Sequence, residues 1–178
     1  MNYQKIIDKY YPVGSRLRDI YLLHCRSVAD KALQIKREKH LDVTDEEVIA
    51  AAMLHDIGIF LTDAPGIDCH GSRPYLAHGV EGASLLRREG AEEKYARVAE
   101  RHTGAGITCA DIATHELPLP LADYMPETLL ERLICYADKF YSKSGDMKEK
   151  SLERVRQSMS KLSKESLERF ERLHEEFC

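Results

Sequence analysis

Apolar residues recur at three- and four-residue steps through most of this chain, and in three of these runs an acid or an imidazole falls where the next apolar side chain belongs. From Arg16 to about Lys36, Leu17, Ile20, Tyr21, Val28, Ala32 and Ile35 share one helix face, and His24 lies on it. Thr44 and Glu47 form a capping box that opens a helix through Val48, Ile49, Ala52 and Met53 to His55-Asp56, with Gly58 placed to stop it. Pro126 suits the first turn of a helix bearing Leu129, Leu130, Leu133, Ile134, Ala137 and Tyr141, and Asp138 follows Ile134 by one turn. A carboxylate aimed into a core costs several kcal/mol unless cations or donors meet it. Metal ions answer that demand best.

Two further helices complete the pattern. One begins around Leu76 and carries Val80, Ala83, Leu85 and Leu86 to a stop at Gly90; the other runs from about Ala91 to His102, before Gly104. The C-terminal stretch, about 147–177, repeats Leu152, Val155, Met159, Leu162, Leu167, Phe170, Leu173 and Phe177 among charges, and predicts one long amphipathic helix without chemistry of its own. It packs on its own domain or forms a homodimer contact. The fold class is therefore all-α. At 178 residues the chain holds one domain, 1–178, with breaks only at Leu61 to Pro74 and Thr103 to Pro126.

A formal net charge of −4 provides no basic field for a nucleic acid polymer, though a small phosphorylated ligand remains compatible. No stretch approaches the ~20 apolar residues of a membrane span, and Met1 to Tyr11 lacks a secretory signal's apolar core, so a cytoplasmic location is expected. The five cysteines are odd in number and include no Cys-x-x-Cys pair, which reads as reduced thiols; Cys69-His70 alone is a weak metal pair.

Taken singly, the polar positions have other readings. His24 could be a satisfied core histidine, and Asp138 could cap a neighbouring helix or pair with an arginine; His40 and His174 read as surface residues. Their conjunction in one order along five helices favours a shared metal site.

That order, His24, then His55-Asp56-Ile57-Gly58, then His78, His102 and Asp138, resembles the HD-domain superfamily of metal-dependent phosphohydrolases over roughly Arg16 to Lys143. His78-Gly79-Val80-Glu81-Gly82-Ala83, Arg101 to Thr108 and Tyr124 to Thr128 are similar to a branch of small stand-alone HDIG proteins. The ligand pattern is similar to that of HD enzymes that symmetrically cleave diadenosine tetraphosphate at a di-iron centre. The resemblance implies His24, His55, Asp56 and Asp138 as ligands of one metal, His78 and His102 as completing a second, and Asp56 as the bridge. Its donors suit iron first and manganese second. Two metals about 3.5–4 Å apart would lower the pKa of a bridging water and hydrolyse a phosphoester or phosphoanhydride of a small molecule, most plausibly a nucleotide.

The pattern departs from relatives in three places. Ile59 stands where a lysine often follows the motif, no glutamate lies two or three residues beyond Asp56, and no Gly-Tyr-Pro follows His102, which argues against a cyclic dinucleotide phosphodiesterase. By proximity to ligands, Lys139, Arg26, Arg73 and Arg101 are candidate phosphate contacts, with Lys139 the foremost, and Thr103 is expected near the pocket mouth. The loop from Leu61 to Pro74 is expected to act as a lid or specificity element. The same ligand set also occurs in HD-fold di-iron oxygenases, and a non-catalytic scaffold is the third reading.

Overall fold

Ser15 and Thr44 start the helices that carry His24 and the His55-Asp56 pair: each side chain accepts a backbone N–H three residues on, and Glu47 closes the predicted capping box on Thr44. In the computed structural model, which describes residues 2–178, the α-helices are α1 (Tyr3–Tyr10), α2 (Arg16–Lys39), α3 (Asp45–Leu54), α4 (His78–Arg88), α5 (Glu93–Arg101), α6 (Cys109–His115), α7 (Leu129–Asp138), α8 (Leu152–Leu162) and α9 (Lys164–Phe177). α3 packs against α2, α5 and α7, α7 also meets α2 and α5, and α4 lies along α5. Tyr21, Leu54, Ile57, Leu85, Leu86, Leu133 and Ile134 fill the space between them. The architecture is the expected all-α bundle. None of the described helices is long and apolar enough to cross a membrane.

Several boundaries differ from the sequence expectation. The C-terminal stretch is two helices, broken at Ser163, whose extended backbone ends α8 while its hydroxyl caps α9 by accepting from the Ser166 N–H. The break follows from the pattern itself: the apolar step from Leu162 to Leu167 is five residues, which no continuous helix face accommodates. The two helices pack together, with Arg156 Nε 2.7 Å from Glu171 Oε1, and Phe170 and Phe177 of α9 stack around Tyr136 of α7. His174, expected at the surface, is half-buried and hydrogen-bonded to the Tyr136 hydroxyl at 2.8 Å.

Pro126 lies outside α7, which starts at Leu129 behind a second capping box, Thr128 with Glu131. Glu131 is buried and holds Arg97 of α5 at 2.7 Å. The break at 103–126 contains α6, and the break at 61–74 holds one 3-10 turn, Pro65–Ile67, between the strands of a minimal antiparallel pair, β1 (Asp63–Ala64) with β2 (Cys69–His70). All five cysteines are free, as expected.

α1 was not anticipated, and it braces the site. Its C-terminal neighbour Tyr11 is buried, stacks on Tyr21 with ring centroids 4.1 Å apart, and donates its hydroxyl to the Ile57 carbonyl at 3.0 Å. Tyr21 donates to the Met53 carbonyl. Two tyrosines thus clamp the turn that presents Asp56.

Candidate metal centre

Six side chains converge from five helices: His24 from within α2, His55 and Asp56 immediately after α3, His78 as the first residue of α4, His102 as the cap of α5, and Asp138 as the last residue of α7. All six are buried. Helix ends suit this task because side chains there can turn off the helix axis towards a common point. Two glycines permit the approach. A Cβ on Gly58 would stand 2.3 Å from the His78 carbonyl oxygen and 2.5 Å from the Gly82 nitrogen, and one on Gly79 would stand 2.6 Å from the Ala99 oxygen. Gly58 was expected to stop α3, but that helix ends at Leu54 and Gly58 has an ordinary negative φ of −88°. Its lack of a side chain instead lets the motif's turn lie directly on α4.

The donor atoms divide into two groups that share Asp56. In the first, His24 Nε2 is 3.0 Å from Asp56 Oδ2, 3.0 Å from Asp138 Oδ1 and 3.3 Å from His55 Nε2, and His55 Nε2 is 3.1 Å from Asp56 Oδ2 and 3.4 Å from Asp138 Oδ1. In the second, His78 Nε2 and His102 Nε2 are 3.0 Å apart and each is 3.4 Å from Asp56 Oδ1. Ligands on a cation with bonds of about 2.1 Å lie about 3.0 Å apart at octahedral angles and about 3.4 Å apart at tetrahedral ones. Both groups have the spacing of a coordination shell.

The tautomers point the same way. Nδ1 of His55 lies 2.6 Å from the Ala52 carbonyl oxygen, that of His78 2.6 Å from Tyr75 and that of His102 2.8 Å from Ala99. A carbonyl only accepts, so each Nδ1 carries its proton and each ring turns its Nε2 inward, where the neutral form offers a lone pair. In His78 and His102 the two Nε2 lone pairs face each other at 3.0 Å and repel unless a cation lies between them. Both oxygens of Asp56 and Nδ1 of His24 are buried without a hydrogen-bond partner, a deficit that metal coordination removes for the carboxylate.

The electrostatics are those of a strongly coupled cluster. Burial opposes the charged form of Asp56, yet the His55 and Lys143 charges outweigh it and hold the carboxyl well below its ordinary range. Burial likewise opposes charging of His55, which Asp56 and Asp138 overcome, raising it well above an ordinary imidazole. For His78 burial outweighs the opposing Asp56 charge and pushes it down to about 3, a neutral ring at physiological pH and so a ready ligand.

The HD domain family profile matches residues 21–142, which contain all six of these side chains. The chain belongs to the HD domain family. HD domains bind divalent metals, and the two His/Asp groups are where this one can hold them. Among curated proteins, a tRNA (cytidine(56)-2'-O)-methyltransferase of Thermoplasma volcanium is 33% identical over 171 residues, 96% of this chain and 45% of its own length. A protein of the same name from Picrophilus torridus is 30% identical over 99% of this chain and 49% of its own, and an uncharacterized protein of Methanocaldococcus jannaschii is 41% identical over 65% of this chain and 62% of its own. The chain thus spans about half the length of these relatives. No solved structure matches it significantly.

The residues expected as phosphate contacts have other surroundings in the structure. Lys139, the foremost expected phosphate contact, is buried, and its ammonium donates to Asp138 Oδ2 at 2.8 Å and to the His102 carbonyl at 2.9 Å. It braces two of the six residues. Arg26 is exposed, two residues and so roughly 200° around α2 from His24. Arg73 is exposed and pairs with Glu81 at 3.0 Å, and Arg101 is spent on the Met125 carbonyl and Glu127, both at 2.9 Å. Thr103 lines a separate, largely apolar cavity with Leu76, Ile107 and Leu117. Cys69 is buried and His70 pairs with Asp68, so neither joins the metal groups.

A second cation at the HD centre, besides Lys139, is Lys143, with Nζ 2.6 Å from Asp56 Oδ2. It lies five residues past Asp138 and beyond the end of α7, so no helical spacing linked it to the ligands.

Proposed function

We propose that this chain is a metal-dependent phosphohydrolase, a single HD unit that cleaves a phosphoester or phosphoanhydride of a small molecule, with a nucleotide as the foremost substrate class. The observation that carries this reading is Asp56, whose two oxygens face two separate sets of imidazoles. A carboxylate so placed is suited to join two cations, His24, His55 and Asp138 completing the first set and His78 and His102 the second. Iron is the first candidate metal and manganese the second, because imidazole and carboxylate donors without thiolate suit both. When bound, two such cations lower the pKa of a water towards neutrality and offset charge on phosphate oxygens.

The protein's own contribution is position and exclusion. Backbone carbonyls fix three of the imidazoles, Lys139 fixes Asp138, and burial of all six donors keeps bulk water from competing for them. A cavity of about 480 Å³, bordered by Asp138 and Tyr75, supplies room for a small phosphorylated molecule at the edge of the cluster. The formal charge of −4 supports a small substrate over a polynucleotide. The tRNA methylation in the relatives' names belongs to proteins of which this chain matches 45% and 49%.

The test is metal analysis of freshly purified protein together with phosphate release from a panel of phosphorylated metabolites. Manganese-loaded protein should release phosphate without dioxygen, and Asp56→Asn should lose both metals and activity. Turnover that requires iron and dioxygen would move the chain to the oxygenases, and full metal content with no turnover would leave it a scaffold.

A further inference from the structure

The cavity beside Asp138 is walled by the turn from Ala64 to Ile67 on one side and by Tyr141 to Ser144 on the other. Lys143 is the one cation among its described lining residues, and all but 11% of its side chain is covered. Its stem spans from the cavity wall to the metal centre: the ammonium lies 2.6 Å from Asp56 Oδ2 and 5.8 Å from the centre of the Tyr75 ring. The contact with Asp56 is close but lacks hydrogen-bond geometry, since Oδ2 counts no hydrogen-bond partner.

The segment that carries Lys143 is anchored at its ends and irregular between them. The Lys150 N–H donates to the Phe140 carbonyl at 2.8 Å, and Glu149 pairs with Lys31 at 2.5 Å, while Gly145 and Met147 take positive φ. No helix dictates where the lysine side chain lies, in contrast to Lys139, whose ammonium is held by a carbonyl and a carboxylate.

Asp56 Oδ2 belongs to the first donor group, so a cation in that group and the Lys143 ammonium compete for one oxygen. Like charges at such range repel strongly in a buried setting. We infer that Lys143 is the phosphate anchor of this site: its ammonium, beside Asp56 Oδ2 and on the wall of the adjoining cavity, serves an anionic phosphate oxygen of a molecule held there. The inference rests on the hydrolase reading and names the residue that reading lacks, a binding residue outside the donor set. The competing role is a fixed counter-ion for Asp56, which needs Lys143 at all times.

The experiment compares wild type with Lys143→Met, of similar length but uncharged, and Lys143→Arg. Calorimetry follows manganese binding to metal-free protein and inorganic phosphate binding to manganese-loaded protein. The anchor role expects K143M to bind manganese as tightly as wild type or more tightly, and phosphate roughly 10- to 100-fold more weakly, the loss of one charge-assisted hydrogen bond. K143R should recover most of the phosphate affinity. Unchanged phosphate binding in K143M overturns the anchor, and so does weakened manganese binding, which marks a counter-ion. If K143M melts too early for measurement, K143Q carries the same comparison. Absent hydrolysis in wild type with phosphate binding lost in K143M would defeat the hydrolase reading and leave the anchor standing. Hydrolysis in wild type with phosphate binding intact in K143M would do the reverse.

Discussion

Lys139 holds the carboxylate of its own neighbour, Asp138, at 2.8 Å and the His102 carbonyl at 2.9 Å, so one ammonium joins the ends of α5 and α7 and both donor groups of the metal centre. A partner that orients a ligand typically contributes 10- to 100-fold to metal affinity. Lys139→Met should therefore weaken manganese binding by roughly 10- to 100-fold, with a fall in turnover that added metal restores. Calorimetric titration of the metal-free variant measures it, and an affinity equal to that of wild type would disprove the bracing role.

The split of donors into two groups makes the second one separable. His78→Ala and His102→Ala should each remove about one metal of two while leaving the helices intact, because His24, His55, Asp138 and one oxygen of Asp56 remain together. Native mass spectrometry counts the ions. One metal in wild type and in both variants would exclude a dinuclear centre.

Gly58 is a site where a single methyl group should be costly. The backbone it meets, at 2.3 and 2.5 Å, belongs to α4, the helix that carries His78, and backbone cannot turn aside as a side chain can. Gly58→Ala should cost about 3 kcal/mol, the upper range for overpacking, and loosen the second donor group with it. Thermal melts with and without manganese would show both effects, whereas a melt within a degree of wild type would mean that α3 and α4 separate freely.

Glu47 closes the capping box of α3 and pairs with Lys94, and the Thr44 backbone N–H together with Lys94 and the Thr44 hydroxyl pulls its carboxyl down to about 2 from the ordinary 4.5. A depressed folded-state pKa adds stability that is present above the unfolded value and lost as pH falls through the folded one. The difference in Tm between wild type and Glu47→Gln should thus be constant above about pH 5 and shrink between about pH 4.5 and pH 2. A difference that stays the same at pH 2.5 would show that the charge contributes nothing.

The helices and the six donors were legible because each follows from local spacing: a polar residue on an apolar face, a capping pair, a glycine after the last turn. Lys139 was legible as important but not in its role, since adjacency to a ligand does not tell whether an ammonium turns towards substrate or back onto Asp138 and His102. Lys143 was invisible because it lies in irregular backbone, where sequence distance from Asp138 implies no direction. The break at Ser163 was present in the five-residue step from Leu162 to Leu167 and in the cap that Ser163 offers to Ser166. α1 is a short run in which Ile6 and Ile7 are buried, and its value lies in Tyr11, whose hydrogen bond to Ile57 is a long-range contact that no local pattern encodes.

His55, His78 and His102 each give the Nδ1 proton to the carbonyl three residues earlier in their own segment. The choice of which nitrogen meets the metal is consequently stored in main-chain geometry and does not depend on the identity of any neighbouring side chain. A side-chain change at residue 52, 75 or 99 that leaves the local backbone on its course leaves that choice as it is. The tautomers of these three imidazoles are thus exposed to change only where the backbone itself is forced to move.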